Sequence, residues 1–395
     1  MRETGGRPKC DLYLTGFLGF DVGGIGPEVP EGLKNAKSVT STKPRNVSLS
    51  RTVLYLRLSV NLVKSGGSRV SSPRSADILV LLVVFVGLAV ALIQVEPPAN
   101  TLFWRVAFNA GHVPLFGLCA IAVLRVGLRW PIRLANWRIL AYVAAFVVTN
   151  IVGTVAEALQ AVGPRDAAFS DLVRNALGSG GFLLLVFAFD REAHPKFMAR
   201  SWGSQGFAVL LAVLMLAVPL VPLVTTAAAY RDRNAAFPRI CDFESGSEFM
   251  FVAPYDAELE VADEPVGWGR DPTNRVGRLA FSTAQYSGLA ISEPCPDWTG
   301  HDRLVFEIYS ELGKGVKLNL RIHDAEHDQR FEDRFNRVLA IEPGANVVSV
   351  SLDDVRGGPK GREMDLSRIR GVAIFDVRAA ATFGLYLDSF RLERD

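Results

Sequence analysis

The alternation of apolar and polar stretches divides the chain into three regions. Residues 1–74 show no sustained period of 2 or 3.6 and are rich in Gly, Ser, Pro, Lys and Arg. They are predicted to be a disordered basic extension, or an over-extended gene start. The next stretch, DILVLLVVFVGLAVALIQV (77–95), is long and apolar enough to cross a bilayer. Similar runs follow at about 106–126, 138–159, 171–189 and 206–226. Backbone groups in lipid must be hydrogen-bonded internally, so all five runs are predicted to be transmembrane helices.

The last region has a different period. Short segments with alternating apolar residues, such as DRLVFEIYS, VKLNLRIHD, NVVSVSLDD, RGVAIFDV and FGLYLDSFRL, are separated by Gly and Pro turns. This spacing predicts an all-β jelly-roll sandwich. We therefore expect a multidomain chain: the extension 1–74, an α-helical transmembrane bundle of about five spans at 75–228, a linker at 229–238, and a β-sandwich at 239–395.

Basic residues are concentrated in the connections that follow the second and fourth spans. These residues are Arg125, Arg129, Arg133 and Arg138 in the first connection, and Arg191, Lys196 and Arg200 in the second. The positive-inside rule then places the amino terminus in the cytoplasm and everything after Thr226 outside, in a multi-pass protein of the bacterial inner membrane. The prediction depends on an odd number of spans.

Charge and cysteine content give no support for nucleic-acid binding or for a cysteine metal site. A formal net charge of +2, without a basic stripe, gives no case for nucleic acid. The four cysteines lack a CxxC pair or metal-ligand spacing. Pairing of Cys241 with Cys295 is left open, since it requires that their domain face an oxidising compartment.

Polar residues recur at three of the span ends. Helical spacing places Asn150, Thr154 and Glu157 on one face of the third span, and Asp171, Asn175 and Gly178 on one face of the fourth. A charge at mid-membrane costs roughly 2.5–3.5 kcal/mol, so such residues usually face the bundle interior. We predict a pocket at the outer surface formed by His112, Glu157, Gln160, Arg165, Asp171 and Asn175. The structural alternative is that Glu157 pairs with Arg165 or Arg174 and only holds the helices together.

The same residues carry a family resemblance. The segments GHVPLFGL and EALQ, an Arg, and SDLVRNALGSGG resemble the VanZ-like family of bacterial membrane proteins over about 76–190. The matching positions are His112, Phe116, Glu157, Gln160, Arg165, Ser170, Asp171, Asn175 and Gly178. The resemblance implies an envelope protein and supplies no reaction.

The carboxy-terminal region has a resemblance of its own. CDFESG (241–246), DWTGHDRLVFEIYS (297–310) and the final LYLDSFRL resemble galactose-binding-like carbohydrate-binding modules. The resemblance implies a structural Ca²⁺ held by Asp242, Glu244 and Asp388, whose hard oxygen ligands suit that ion. No other cofactor is expected.

Alternation along the strands predicts a sugar-binding face. Leu304, Phe306 and Ile308 point to one side, and polar residues point to the other. If adjacent strands are in register, Glu307, Tyr309, Asn319, Arg321, His323 and Asn336 form one polar face. Sugar recognition needs hydrogen-bonding groups and an aromatic surface together. The alternative is an ordinary solvated face. Trp298, in a turn, is interpreted as a structural anchor.

Two functional hypotheses follow. The first is a non-catalytic envelope protein whose sandwich recognises an envelope polysaccharide while its helices lie in the lipid bilayer. The second is a membrane enzyme, or a handler of a lipid-linked glycan or other envelope substrate. In that case Glu157 or His112 acts as acid or base and Arg165 contacts a phosphate or carboxylate. Five spans without an evident repeat offer little support for a transporter.

Overall fold

A computed structural model of the chain describes residues 98–130, 136–160, 169–190, 202–269 and 273–395, with a few isolated positions outside these ranges. The predicted extension (1–74) and nearly all of the first predicted span (77–95) lie outside the described residues. The five-span count therefore stays a prediction.

Four apolar helical stretches lie where the second to fifth spans are predicted. The helices are α1 (Leu102–Arg129), α2 (Trp137–Gln160), α3 (Phe169–Phe189), α4 (Trp202–Ala217) and α5 (Val221–Ala236). A single 3₁₀ turn joins α4 to α5, and the run Gly203–Ala236 counts as one stretch. Each of the four stretches is long and apolar enough to cross a membrane.

The last helix extends beyond the predicted span. The segment predicted as a linker, 229–238, is helical as far as Ala236. Alanine dominates TTAAAYRDRNAA, and alanine has the highest helix propensity. The helix ends at Phe237, which adopts ψ 134° before Pro238, because a following proline disfavours the helical conformation.

The described chain divides into two compact units. One, the helical unit, includes Asn109–Pro219, and the other, the sandwich unit, consists of Pro97–Phe108 and Leu220–Asp395. In the helical unit, α3 packs against both α2 and α4. Large apolar side chains remain exposed along two helices: Val143, Val147, Ile151 and Val155 on α2, and Phe207, Leu210 and Val213 on α4. Apolar surface this continuous is unusual in contact with water, and it is the surface that a bilayer requires.

In the described residues of the sandwich, eleven antiparallel strands form two sheets. The strands are β1 (Arg239–Cys241), β2 (Val252–Tyr255), β3 (Ala257–Asp263), β4 (Arg275–Phe281), β5 (Ser287–Ser292), β6 (Arg303–Ser310), β7 (Val316–Asp324), β8 (Phe335–Ile341), β9 (Gly344–Ser351), β10 (Ile369–Asp376) and β11 (Phe383–Glu393). The six-stranded sheet has the order β3-β4-β11-β6-β9, with β1 also paired to β11. The five-stranded sheet has the order β2-β5-β10-β7-β8.

The five predicted strands coincide with β6, β7, β9, β10 and β11, with one difference. The strand predicted at NVVSVSLDD stops at Ser351, and Leu352–Arg356 form a short helix, α6. The Ser351 side chain accepts a hydrogen bond from the Asp353 amide, as serine does at a helix amino terminus.

The sandwich core is continuous and includes the predicted anchor. Trp298 is fully buried, and its Nε1 donates to the Cys295 carbonyl at 2.8 Å. Phe306 and Phe390 stack with their ring centroids 4.7 Å apart. The pairing left open for Cys241 and Cys295 does not occur, since both are free thiols. Cys241 Sγ instead lies 3.4 Å from Glu248 Oε2.

We predict that Trp298→Ala lowers the free energy of unfolding of the sandwich by about 3–5 kcal/mol, because it leaves a large cavity. The change is measured as the shift in the urea midpoint of the full chain in detergent. Pulse proteolysis monitors unfolding of the sandwich at each urea concentration. Val347→Ala, at a side chain 70% exposed on β9, is the control and is expected to cost less than about 1 kcal/mol. Equal midpoints for both variants would contradict the anchoring role of Trp298.

Candidate functional site

The helical unit brings together four residues of the predicted pocket. We call His112 of α1, Glu157 of α2, and Asp171 and Asn175 of α3 the polar cluster. A ring nitrogen of His112 and one carboxylate oxygen each from Glu157 and Asp171 lie within 4.8 Å of one another. His112 Nδ1 is 2.9 Å from Asn175 Oδ1. Because an amide oxygen only accepts, Nδ1 is the donor here.

Two glycines allow the three helices to approach at the polar cluster. A Cβ at Gly178 would lie 2.4 Å from the Val113 carbonyl oxygen. A Cβ at Gly153 would lie 2.8 Å from a Phe116 ring carbon and 3.0 Å from Asn175 Nδ2. Small residues at these positions therefore set the distances between the polar side chains.

The charges of the polar cluster are unequally satisfied. Arg174 forms an ion pair with Asp171 and donates to Ser170 Oγ at 3.0 Å. Glu157 is only 4% exposed, and neither carboxylate oxygen has a hydrogen-bond partner among the described residues. The guanidinium predicted as a possible partner of Glu157, that of Arg174, is thus bonded to Asp171 instead.

Two further residues of the predicted pocket cannot be placed with the others. Arg165 lies in 161–168, outside the described residues. Gln160 is the last residue of α2, and its side chain is likewise outside the described part. Both remain predictions.

The predicted sugar face is wrong in one respect, because its residues do not share a sheet. Glu307 and Tyr309 lie on β6 of the six-stranded sheet, whereas β7 and β8 belong to the five-stranded sheet. Alternation identifies the outward residues of each strand, but it does not specify which strands are neighbours. Strand β6 pairs with β11 and β9, and not with β7, which follows it in the chain.

The two residues on the six-stranded sheet are covered by neighbouring side chains. The Tyr309 ring stacks on Trp268 with centroids 5.5 Å apart, and Tyr386 lies 6.2 Å away on the adjacent strand. Glu307 Oε1 is 3.4 Å from Arg391 Nη1. Trp268 therefore occupies one face of the Tyr309 ring.

The other four predicted residues lie on the outward side of the five-stranded sheet. We call this surface the arginine face and define it by Tyr255, Tyr286, Asn319, Arg321, His323, Arg334, Asn336 and Phe375. Its floor is a register row across the five strands, in the order Ala253, Ala290, Ala373, Arg321 and Asn336. On one side of Arg321 the row therefore consists of three small side chains.

Aromatic rings border this alanine floor. The Phe375 ring centroid is 6.4 Å from that of Tyr255 and 6.1 Å from that of Tyr286. Tyr255 and Phe375 lie on one register row, separated by Gly288. Sequence reasoning missed these three rings because the strands of Tyr255 and Phe375, and the turn before β5 that carries Tyr286, come together only in the tertiary fold.

Two guanidinium groups dominate the electrostatics of the arginine face. Burial lowers the pKa of Arg321 to about 10, and the neighbouring charge of Arg334 adds to this effect. Arg334 Nε donates to Asn336 Oδ1 at 2.9 Å, while Arg321 Nε is buried and has no hydrogen-bond partner in the described chain. Burial, followed by the charge of Arg321, lowers the pKa of His323 to about 3, so this imidazole is neutral at pH 7.

An ion-pair network fixes the loop that carries Arg334. Arg362 donates to both carboxylate oxygens of Asp324, at 2.6 and 2.9 Å, and to Asp333 Oδ1 at 2.5 Å. Asp324 ends β7 and Asp333 lies just before β8, so Arg362 ties the two ends of the connection together. Sequence reasoning missed Arg362, because a loop residue carries no periodic signal.

The predicted calcium ligands are not brought together as a close set. Asp242 pairs with Arg239 at 2.5 Å, and Asp388 Oδ2 accepts from Asn274 Nδ2 at 3.0 Å. The Glu244 carboxylate is 3.4 Å from the Arg275 amide. Apart from His112, Glu157 and Asp171, the described residues with converging ligand atoms are His327, Asp328 and Asp333. The structural Ca²⁺ stays a prediction.

Comparisons with known proteins concern the sandwich. No family model matches the chain and no curated protein matches it, so the VanZ-like resemblance stays a prediction. A family 11 carbohydrate-binding module from Clostridium thermocellum, solved with a β-1,3-1,4-mixed-linked tetrasaccharide, is 14% identical with a TM-score of 0.32, over 40% of this chain and 94% of that chain.

Two other solved structures give similar values. A family 30 carbohydrate-binding module of a Clostridium thermocellum cellulosomal cellulase is 13% identical with a TM-score of 0.28, over 40% of this chain and 96% of that chain. An exo-β-agarase is 18% identical with a TM-score of 0.33, over 40% of this chain and 25% of that chain. Similarity at this level does not identify a ligand.

We predict that Gly178→Ala destabilises the helical unit by about 1–3 kcal/mol, because the new methyl group would overlap the Val113 carbonyl. The thermal midpoint of the full chain in detergent measures the change. Gly206→Ala, on α4 with nothing within 4 Å of the added carbon, is the control and is expected to be neutral or slightly stabilising. A Gly178→Ala midpoint equal to that of the control would argue against close packing of α1 and α3.

A second prediction concerns the Arg362 network. Burial would raise the pKa of Asp324, but the Arg362 bonds and the Asp365 amide outweigh it and hold this pKa below its usual value. The bond to Arg362 lowers the pKa of Asp333 as well. Depressed carboxyl pKa values stabilise the fold above about pH 4, and this contribution is lost as the pH falls through the folded-state values.

Arg362→Met is therefore expected to lower the free energy of unfolding of the sandwich by about 3 kcal/mol or more at pH 7, with a clearly smaller difference at pH 3. Urea midpoints at the two pH values measure the effect. Arg278→Met removes a largely exposed pair with Glu260 and should cost less than about 1 kcal/mol at either pH. A loss for Arg362→Met that is independent of pH would refute the proposed linkage.

Proposed function

We propose that this chain is a membrane-anchored protein of the bacterial envelope whose sandwich recognises an acidic glycan through the arginine face. The observation that carries the proposal is the composition of that face. Two guanidinium groups without a carboxylate partner in the described chain lie beside three aromatic rings and a floor of alanines, all on one side of one sheet.

The arrangement has the chemistry that sugar recognition requires. Hydroxyl groups need donors and acceptors, which Asn319, Asn336 and neutral His323 supply. The apolar face of a pyranose ring packs on aromatic rings such as Tyr255 and Phe375. The floor of small residues lets a chain of sugars lie along the sheet without a steric barrier.

The charge of the arginine face favours glycans that contain carboxylate groups. Burial is the main cause of the lowered pKa of both Arg321 and Arg334. The neighbouring groups that raise these pKa values are tyrosines and not carboxylates. An arginine binds a carboxylate through two parallel charge-assisted hydrogen bonds. A uronate residue of a polysaccharide would supply this missing partner.

The membrane part of the proposal rests on the four apolar helical stretches and on the distribution of Arg and Lys along the chain. The amino terminus is proposed to be cytoplasmic and the sandwich to lie outside. This orientation requires the first predicted span, 77–95. Accessibility labelling of a cysteine placed at residue 395 in intact cells tests it, since labelling only after lysis would overturn the envelope-glycan proposal.

A second candidate function, the handling of a lipid-linked envelope substrate, is favoured by one specific observation. His112, Glu157 and Asp171 converge from three apolar helices, and Glu157 is buried without a hydrogen-bond partner in the described chain. Such a group in an apolar helix is expensive and is usually functional. Loss of an envelope phenotype in Glu157→Gln but not in Arg321→Ala would favour this candidate.

We predict that the full chain in detergent binds oligogalacturonate more tightly than cello-oligosaccharide of the same length. Arg321→Ala and Arg334→Ala should each weaken oligogalacturonate binding by about 10- to 100-fold, the equivalent of one charge-assisted hydrogen bond. Isothermal titration calorimetry measures the affinities. Arg278→Ala, on the six-stranded sheet, is the matched control and should bind as the wild type does.

Salt provides a further check, because the attraction between a guanidinium and a carboxylate on a solvated face is screened. Raising NaCl should weaken oligogalacturonate binding in the wild type more than in Arg321→Ala. If neither glycan binds, the proposed function fails. If both arginine variants bind oligogalacturonate as tightly as Arg278→Ala, the arginine face is not the site.

A further inference from the structure

We propose that the polar cluster of the helical unit binds a divalent transition-metal cation, with His112, Glu157 and Asp171 as its protein ligands. This site is independent of glycan recognition by the sandwich. Three features of the described residues carry the proposal: the convergence of ligand atoms, the unsatisfied carboxylate, and the orientation of the imidazole.

The ligand atoms are nearly at coordination distance from one another. One nitrogen and two carboxylate oxygens from α1, α2 and α3 lie within 4.8 Å of each other. Tetrahedral ligands about 2.0–2.2 Å from a zinc ion are separated by about 3.4 Å. In the proposed site, rotation of the carboxylate side chains brings these atoms closer together around the ion.

Glu157 supplies the strongest argument. Its side chain is almost completely buried, and both carboxylate oxygens lack a hydrogen-bond partner within the described chain. Buried carboxylates in folded proteins are paired, hydrogen-bonded or bound to metal, because desolvation of an isolated charge is costly. Arg174 is bonded to Asp171, so its guanidinium does not satisfy Glu157.

The net charge of the site also favours a cation. Among the described residues, the two carboxylates and the guanidinium of Arg174 sum to one negative charge. A bound divalent cation reverses this balance and places positive charge beside the two oxygens of Glu157. An anionic ligand in the same place would add to the repulsion.

His112 makes the kind of hydrogen bond that orients metal-binding histidines. Its Nδ1 donates to Asn175 Oδ1, and in the neutral ring Nε2 carries the lone pair. A ligating histidine commonly donates its other ring nitrogen to an acceptor, and this bond fixes the tautomer and the ring orientation. The ring also stacks on Phe116, with an interplanar angle of 10° and centroids 6.0 Å apart.

The sandwich contains a set of the same composition that lacks these features. His327, Asp328 and Asp333 also have ligand atoms within 4.8 Å of one another. There, Asp328 is bonded to Arg330, and Asp333 is bonded to Arg362. Arginines already satisfy both carboxylates, so this set needs no cation and provides an internal comparison.

The donor set indicates the class of metal. One imidazole with two carboxylates suits Zn²⁺ or Mn²⁺, whereas Mg²⁺ and Ca²⁺ prefer oxygen ligands alone. Three protein ligands leave at least one coordination position for water or for an oxygen of a bound substrate.

Zinc binding to the full chain in detergent tests the proposal. The protein is stripped with a chelator, incubated with Zn²⁺ alone, desalted, and its metal content is measured by mass spectrometry. We expect about one equivalent bound to the wild type and at least 10-fold weaker binding to Glu157→Gln and His112→Ala. Asp328→Asn, in the comparison set, should bind zinc as the wild type does.

Thermal stability separates loss of a ligand from loss of the fold. Zn²⁺ should raise the thermal midpoint of the wild type, because a ligand that binds only the folded state stabilises it. Glu157→Gln should show no zinc-dependent rise while its metal-free midpoint equals or exceeds that of the wild type. Absence of zinc from the wild type, or equal zinc content in the wild type and Glu157→Gln, would overturn the proposal.

Discussion

Satisfying polar groups within apolar surroundings is the constraint on which the helical unit depends. Asp190, at the end of α3, accepts hydrogen bonds from Arg138 and Tyr142 of α2 and so connects these two helices. Asn150 donates to Ser179 at 3.0 Å and connects the same helices again. Each bond fixes the rotation of one helix against its neighbour, since the alternative is a buried polar group without a partner. In the described part of this unit, Thr149 Oγ1 and Asn175 Nδ2 are buried without a partner, and so are both carboxylate oxygens of Glu157. Glu157 is the ionisable group among them, and a buried carboxylate of this kind requires an explanation outside the side chains themselves.

The same constraint separates the structural charges of the sandwich from those with a proposed function. Asp324 is completely buried at the end of β7, and Arg362 satisfies it with two hydrogen bonds. Arg321 and Arg334 have no such carboxylate partner within the described residues. Among the described residues, the two units therefore contain charged groups of opposite sign without a hydrogen-bonded counter-charge, a carboxylate among the helices and guanidiniums on the sheet. A cation and an acidic glycan are the ligands that would compensate them.

Much of this architecture can be predicted from local sequence, because local pattern determines local structure. The apolar runs at 106–126, 138–159 and 171–189 correspond to helices, and VKLNLRIHD corresponds to β7 residue for residue. Helical spacing also predicts that Glu157 and Asn175 face the interior, where they are buried. Proximity of His112 to Asp171 follows in part from the same reasoning, since the ends of three adjacent antiparallel spans meet at one surface. The arrangement of hydrogen bonds among them does not follow, because it depends on helix separations set by Gly153 and Gly178.

By itself, the sequence determined which residues of each strand face the core and which face outward. Only the tertiary structure decided which strands are neighbours, and this choice separates Glu307 and Tyr309 from Arg321 and His323. The same choice brings Tyr255 and Phe375 onto the face that carries Arg321, although they are far from it in the chain. The physical reason is that side-chain alternation has the same period in every strand. Pairing between strands depends instead on hydrogen bonds and core contacts between segments that are distant in sequence.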